Sequence, residues 1–451
     1  MRTPPSTEAR AASRLAWTVS PLLLAITALG RASQNAGQTT YPLIGRSLLH
    51  VSNSTIGALG AAMAVVGIVC ATVVVGRTRH HALTVLTVGQ GFGLAAFGLL
   101  ATPTGQPGLW AAAMALGAYG GLAMPSLMTV IGGGARAERA RALAVFALAL
   151  STSLLVGPLV ESAVLHALGN SLRATFAVLV PVPAAATALA AGAALRHRAE
   201  LRRRAEAQDE QAGASVTAGP AERFAWRSAP GFRLAVLAMV TYQVPFAGLV
   251  AFGALLARHV DGASASGAQL AFGVFFGVSL AVRATLAFTS QQHRSAALLV
   301  GSVAATVAGV ALVGTARSFP LLLVGMAVLG LPHGSTFPLS SAILAERTPR
   351  AQLARANGLL LAANNIVIVI VPFVCGWLAD SLGYGPMFLL IEVPVVALGM
   401  LLLAQLASPR SPLRGPPLLP APADAGTVPT ADAATVHLAP EPERPAAPEG
   451  S

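Results

Sequence analysis

Charge is almost missing from twelve stretches of this sequence, each close to the ~20 residues an α-helix needs to cross a lipid bilayer. They run over residues 17–40, 54–75, 82–101, 109–131, 142–165, 174–195, 233–256, 268–289, 296–315, 320–344, 357–379 and 386–407. Only 10% of the 451 residues are charged, while 55% are hydrophobic. A soluble chain carries about 25% charged residues. Within lipid, a backbone must satisfy its own N–H and C=O groups, so each run is read as a helix. The expected fold class is all-α integral membrane, with the lipid bilayer as the chain's first partner.

The 29 basic residues are all Arg, and no Lys occurs. A Walker A phosphate loop and a Schiff-base cofactor both need Lys, so both are excluded. The net charge of +12 does not point to nucleic acid, because most Arg residues flank apolar runs. That is the pattern that orients a membrane protein. With the N-terminus inside, Arg46, Arg173, Arg258 and Arg317 fall outside and Arg31 and Arg283 fall within the membrane; the remaining Arg residues are cytoplasmic. Trp17, Trp110 and Trp377 fall near expected interfaces. Residues 1–30 have the look of a signal peptide, but their apolar run continues to Pro42 and is read as the first span. Cys70 and Cys375 lie in apolar runs, and no metal-ligand spacing is found. Neither a metal nor a cofactor is expected.

The expected organisation is a cytoplasmic N-terminus (1–16), a six-helix bundle (17–195), a cytoplasmic linker (196–232), a second six-helix bundle (233–407) and a Pro-rich tail (408–451). The linker opens RHRAELRRRAEAQDEQ, which reads as a short surface helix. The tail holds 11 Pro among 44 residues, a composition that cannot bury enough surface to fold.

The two bundles repeat one another. GGLAMP at 120–125 resembles HGSTFP at 333–338, aligning Gly121 with Gly334 and Pro125 with Pro338. ARAL at 140–143 aligns with ARAN at 354–357, Pro158 with Pro372, Gly169 with Gly383, and Phe176 with Phe388. The order is kept, and the offset stays near 212 to 214 throughout. Such an internal repeat indicates a pseudo-symmetric transporter with its site between the halves.

On these features the chain resembles the major facilitator superfamily over roughly residues 14–407. SLLVGPLVES (153–162) is similar to the antiporter motif GxxxGPxxGG of that superfamily. Gly157 and Pro158 match its core, while Ser153, Glu161 and Ser162 replace glycines. The resemblance associates the full motif with export. GWLADSLGYGPMF (376–388), which contains Asp380, resembles the signature at the end of the eleventh helix. The gate motif GxxxDRxGRR reads VVVGRTRHH at 73–81, keeping Arg77 and Arg79 but no acidic residue. The matching SQQHR (290–294) lacks it too, so a charge-paired gate must be weaker or built differently. Arg283 stands where related chains often place Arg in the eighth helix. The resemblance implies two pseudo-symmetric six-helix bundles.

Candidate site residues follow from polarity inside the membrane. Thr27, Arg31, Gln34, Asn35 and Gln38 share one face of the first helix at 100° per residue. Unpaired polar groups facing lipid cost a few kcal/mol each, so this face should line a cavity or meet other helices. Arg31 sits deep in the bilayer, where a charge is a functional hypothesis by default; the alternative is a structural Arg. In the repeat, Tyr242 and Gln243 of the seventh helix stand opposite this face, before Pro245. Glu161 and Glu392 are intramembrane carboxylates that can exchange protons, with a static or interfacial role as the alternative. Asp380 is read as part of a structural turn. His333 is either a titrating or a packed imidazole. Asn364 and Asn365 are read as cavity or interhelical groups.

The leading reading is an alternating-access, proton-coupled exporter of a small amphipathic or drug-like molecule, working as a monomer with both termini cytoplasmic in the cell membrane. A proton-coupled importer of a polar or anionic metabolite is the first alternative, and a non-transporting sensor or scaffold is another. No nucleophile motif or metal cluster supports an enzyme. Reporter fusions at residue 210 and at the C-terminus should both be cytoplasmic; either one on the outside would break the twelve-span reading.

Overall fold

The computed structural model describes residues 7–75, 77, 81–132, 136–208, 230–260, 263–288, 295–348, 350–409, 411 and 413. Arg79, His80, the SQQHR stretch, most of the linker and nearly all of the tail lie outside the described residues, as does the Trp17 side chain.

The chain is helical along the described segments. Helix α1 runs Thr7–Leu48. Helix α2 runs Asn53–Val69 and widens into a π-helical turn over Cys70–Val75. Then come α3 (Ala82–Ala101), α4 (Gly105–Gly132) and α5 (Arg136–Ala167). Helix α6 is made of Leu172–Leu179 and Pro181–Gln208, joined at Val180. The second half has α7 (Pro230–His259), α8 (Ala265–Phe288), α9 (Ser295–Thr315), α10 (Phe319–Arg347), α11 (Arg350–Leu382) and α12 (Tyr384–Ala407).

Several helices outrun their apolar stretches. Helix α1 begins ten residues or so before the expected start, and α6 continues to Gln208. The expected surface helix of the linker is thus the end of α6. Hydropathy marks where lipid stops, whereas a helix can continue into water on charged residues. Among the described residues, eleven helices are long and apolar enough to cross a membrane. Helix α1 carries Arg31, Gln34, Asn35 and Gln38 in its middle.

Large apolar side chains lie on the outer surface, and several strongly polar ones are enclosed within a mainly apolar interior. Ile366, Phe373, Val393 and Met400 are each about 60% exposed, while Gln34, Asn35, Glu161 and Gln269 are buried. Large exposed apolar patches of this kind mark contact with lipid or a partner.

Within the first half α1 packs on α4, α5 and α6, α2 on α4, and α3 on α4 and α6. The second half repeats this plan: α7 packs on α10, α11 and α12, α8 on α10, and α9 on α10 and α12. The halves meet where α2 packs on α11, α5 on α8, and α1 on α7.

Glycine sets the closest contacts, and it does so twice. A Cβ on Gly117 would lie 2.2 Å from the Met63 carbonyl oxygen, and one on Gly121 would lie 2.1 Å from that of Gly67. In the second half the same four-residue spacing recurs. A Cβ on Gly330 would lie 2.6 Å from the Phe275 oxygen, and one on Gly334 would lie 2.6 Å from that of Ser279. No side chain fits at any of these positions, so α4 touches α2, and α10 touches α8, backbone to backbone. Gly169 and Gly383 match as well. Each sits with positive φ (62° and 84°) where α5 turns into α6 and α11 into α12.

Gly121→Val should therefore part α2 from α4 and lower stability by about 1–3 kcal/mol. Gly98→Ala, at a position with nothing within 4 Å of the added carbon, is the control. Thermal denaturation of the purified protein checks both; an equal loss from the two would refute the close-contact account.

Candidate functional site

Two polar clusters lie where the halves meet, and α1 contributes to both. The first is built around Arg31. Its Nη1 donates to Gln34 Oε1 one turn on at 2.7 Å. Gln34 reaches Gly120 of α4, where a Cβ would be 2.4 Å from its amide nitrogen. Tyr119 of α4 stands beside Gly30, where an added Cβ would lie 2.5 Å from its hydroxyl. The side chains of Tyr119 and Gln34 occupy the space left open at Gly30 and Gly120.

Arg283 of α8 faces this cluster from the other half. Its Nη1 donates to Ser151 Oγ of α5 at 2.9 Å, and its Nη2 to the His333 carbonyl at 3.3 Å. The two guanidinium groups lie within each other's electrostatic field, and both act on His333. Neither has a carboxylate partner among the described residues, and Nε of each is buried without an acceptor.

His333 is packed tightly. Its ring stacks on Phe246 at a centroid distance of 4.7 Å and lies 4.9 Å from Phe275. Its Nδ1 is hydrogen-bonded to the Tyr242 hydroxyl. Arg283 Nη2 is 3.5 Å from Nε2, long for a hydrogen bond. The same Arg283 nitrogen lies closer to the His333 carbonyl, at 3.3 Å.

The second cluster lies nine residues further along α1. The Thr40 hydroxyl donates to Glu161 Oε1 of α5. Gln269 Nε2 of α8 donates to Thr40 Oγ1 at 2.7 Å, and Gln269 Oε1 is 3.0 Å from Thr39 Oγ1. Donors thus run in one direction, from Gln269 through Thr40 to the carboxylate. Glu161 is 1% exposed, and its Oε2 is buried with no partner. The carboxylate is therefore enclosed rather than reaching to an interface, and it sits on a chain that spans both halves.

The remaining expected residues scatter. Asn35 donates from Nδ2 to the Leu154 carbonyl of α5 at 3.2 Å, and Gln38 meets the Met63 sulfur at 4.0 Å. Gln243 is buried in α7. A Cβ on Gly157 would approach the Ala32 carbonyl to 2.9 Å, and Pro158 is buried beside it. Gly334 serves the α8–α10 contact, with Pro338 half-buried one turn later. Asn364 and Asn365 are half-buried on α11, and Asn364 Oδ1 lacks a partner. Glu392 is half-buried on α12 away from both clusters, and Arg77 is exposed.

Asp380 does more than end a turn. Its carboxylate accepts from the backbone N–H of Asn53 at 2.9 Å and of Ser54 at 2.7 Å, and from the Ser54 hydroxyl. It therefore caps α2 from the opposite half. Asn170 is its reciprocal in the first half, where its Oδ1 accepts from the backbone N–H of Ser266 at 2.8 Å, at the start of α8. Ser162 Oγ adds a bond to the Ser266 carbonyl at 2.7 Å, and Tyr384 one to Asn53 Oδ1 at 2.6 Å. The end of the molecule bearing the α1–α2, α5–α6, α7–α8 and α11–α12 connections is thus latched across the halves. A cleft of about 420 Å³ indents it between Arg46, Asn53, His259, Asp380 and Tyr384. Among the described residues no group of three or more His, Cys, Asp or Glu could hold a metal.

Thr39, Thr40, Tyr119, Ser151, Asn170 and Gln269 are absent from the sequence-based candidates. Thr39 lies about 40° beyond the edge of the polar face of α1 and is open to the same reading, whereas Thr40 falls on the opposite side of the helix. The others become visible only through contacts between distant helices.

The sequence profile of the Major Facilitator Superfamily matches residues 11–316 and 246–431. No curated protein matches the sequence itself. Among solved structures, the nucleoside transporter NupG is 15% identical, covers 85% of this chain and 98% of its own, and has a TM-score of 0.63. A bacterial homolog of the human lysosomal transporter Spinster, inward-facing and unoccupied, is 14% identical over 86% of this chain and 95% of its own, with a TM-score of 0.64. A mutant of the peptide transporter POT is 12% identical over 86% and 94%, with a TM-score of 0.66. At these identities the likeness is one of fold.

Asp380→Ala removes one latch, and loss of such a cap costs about 1–2 kcal/mol. Cys375, fully buried on α11 near this end, reports the result. In a Cys70→Ala background, its labelling by a thiol reagent should rise when Asp380 is replaced. Unchanged labelling would mean that closure does not depend on the cap.

Proposed function

The chain belongs to the major facilitator superfamily, and from that premise we propose that it exports a small amphipathic, drug-like organic molecule by proton-coupled alternating access. It is a multi-pass membrane transporter. Substrate, direction and coupling ion are the proposal.

The observation that carries proton coupling is the Gln269–Thr40–Glu161 chain. One carboxylate oxygen is engaged and the other has no partner, so the site can gain or lose a proton at Oε2 without breaking the Thr40 bond. Proton exchange needs water, and water reaches Glu161 only when α5 and α8 part. Protonation and the opening of the halves are therefore linked at one residue. An alternating-access transporter needs such a link, since a ligand shifts a conformational equilibrium only by its differential affinity for the two states. Helix α1, running through both polar clusters, connects the proton site to the Arg31 region. The separation is nine residues, about 13 Å along the helix.

Export is supported by Gly157 and Pro158, which retain the core of the antiporter motif and press α5 against Ala32 of α1. Cytoplasmic termini and residence in the cell membrane as a monomer are supported by the Arg distribution and by the self-contained packing of the two halves. A second reading, import of a polar or anionic metabolite, draws on Arg31 and Arg283, two central cations without carboxylate partners.

Proteoliposomes holding the purified protein should move a substrate from a broad panel when a pH gradient is imposed. No flux of any compound would sink the transporter reading. Glu161→Gln should flatten the pH dependence of that flux, while an unaltered profile would remove Glu161 from coupling.

A further inference from the structure

Arg31 and Arg283 form an unbalanced charge at the centre of the molecule. Arg31 comes from α1 in the first half, and Arg283 from α8 in the second. A structural Arg inside a membrane protein normally meets a carboxylate or a set of carbonyls. Arg31 uses one of its five N–H donors on Gln34 and has no charged partner. Arg283 is better bonded, to Ser151 and the His333 carbonyl, yet these acceptors are neutral. The buried carboxylate of Glu161 is engaged with Thr40, about 13 Å along α1 from Arg31. The two like charges approach the same stretch of α5, where Arg283 bonds Ser151 and Asn35, one turn on from Arg31, bonds the Leu154 carbonyl; at that range Arg283 acts on Arg31, and like charges repel. The nearby ring nitrogens and hydroxyls of His333, Tyr242 and Tyr119 bring no negative charge to offset them.

From this arrangement we infer that the transported molecule carries a carboxylate- or phosphate-type group that binds between Arg31 and Arg283. An anion there changes the sign of the interaction between the halves, replacing a repulsion with two attractions. The planar guanidinium fork suits both oxyanions, which accept parallel N–H bonds. The half-buried ring of Phe246, stacked on His333 beside Arg283, supplies an apolar face for the organic part. The substrate class is therefore an amphipathic organic anion. This inference rests on the transporter reading and holds for either direction of transport.

A size-matched probe series tests it: benzoate, phenyl phosphate, benzamide and benzylammonium, titrated against the purified full chain in nanodiscs of zwitterionic lipid. Thermal shift and equilibrium binding are the readouts. Benzoate or phenyl phosphate should bind and stabilise the protein, and benzamide and benzylammonium should not. Arg31→Gln and Arg283→Gln should each weaken anion binding at least about tenfold. Arg31→Lys, which keeps the charge and guards against a folding defect, should retain part of it. Equal binding of the amide or the cation, anion binding that survives both Gln variants, or no binding by either anion would overturn the inference. Adding phosphatidylglycerol to the nanodiscs separates two sources of the same chemistry: competition assigns the site to a lipid headgroup, and its absence to a soluble anion. Benzamide moved in proteoliposomes without anion binding would leave the transporter reading intact and remove this one. Arg-dependent anion binding with no flux of any compound would keep the anion site and remove the transporter reading, and with it the claim that the bound anion is transported.

Discussion

Helices in lipid gain little from hiding apolar surface from one another, because the tails around them are as apolar as they are. What holds this bundle together is close contact, and close contact needs the side chain to be missing. Gly117 and Gly121 let α4 lie on the carbonyls of α2, and Gly330 and Gly334 repeat the arrangement between α10 and α8. Across the seam, Gly57 meets the Pro372 carbonyl and Gly376 meets that of Asn53, at distances where a Cβ would be 2.3 and 2.5 Å away. The polar centre uses the same device, since Gly30 and Gly120 make the space that Tyr119 and Gln34 fill. The site and the scaffold thus depend on one kind of contact.

Much of this is legible in the residues alone, and the reasons for the misses are physical. Gly121 pairs with Gly334 and Gly169 with Gly383 in sequence, and the structure gives the two members of each pair the same geometric role. Gly117 and Gly330 escape notice because glycine is common throughout the chain, and a four-residue spacing does not stand out against that background. Helix ends are misplaced by hydropathy wherever charged residues carry a helix beyond the lipid, as in α1, α6 and α11. The polar face of α1 is legible because periodicity is local. The contacts across to α5 and α8 are not, since Ser151, which Arg283 meets, and Gln269, which meets Thr39 and Thr40, have no local mark that tells which distant helix they will meet. Asp380 reads as a turn residue, but its contact lies on a helix more than three hundred residues earlier.

The two polar clusters differ in kind. Around Glu161 the donors are arranged in sequence and end on a single carboxylate, so that a proton can alter the site with little rearrangement. Around Arg31 and Arg283 the charges are held apart by neutral groups. Under the proposed function one cluster takes up a proton and the other an anionic group, and α1 passes through both.

The crossed caps at the latched end carry an asymmetry that the repeated fold hides. Helix α8 is held by the amide oxygen of Asn170, a neutral acceptor making one bond to the backbone. Helix α2 is held by the carboxylate of Asp380, which takes two backbone N–H groups and a hydroxyl and faces the positive end of the helix dipole. The two caps are equivalent in position but unlike in chemistry. Acid weakens only one of them, because a protonated Asp380 loses its negative charge while the Asn170 amide does not titrate.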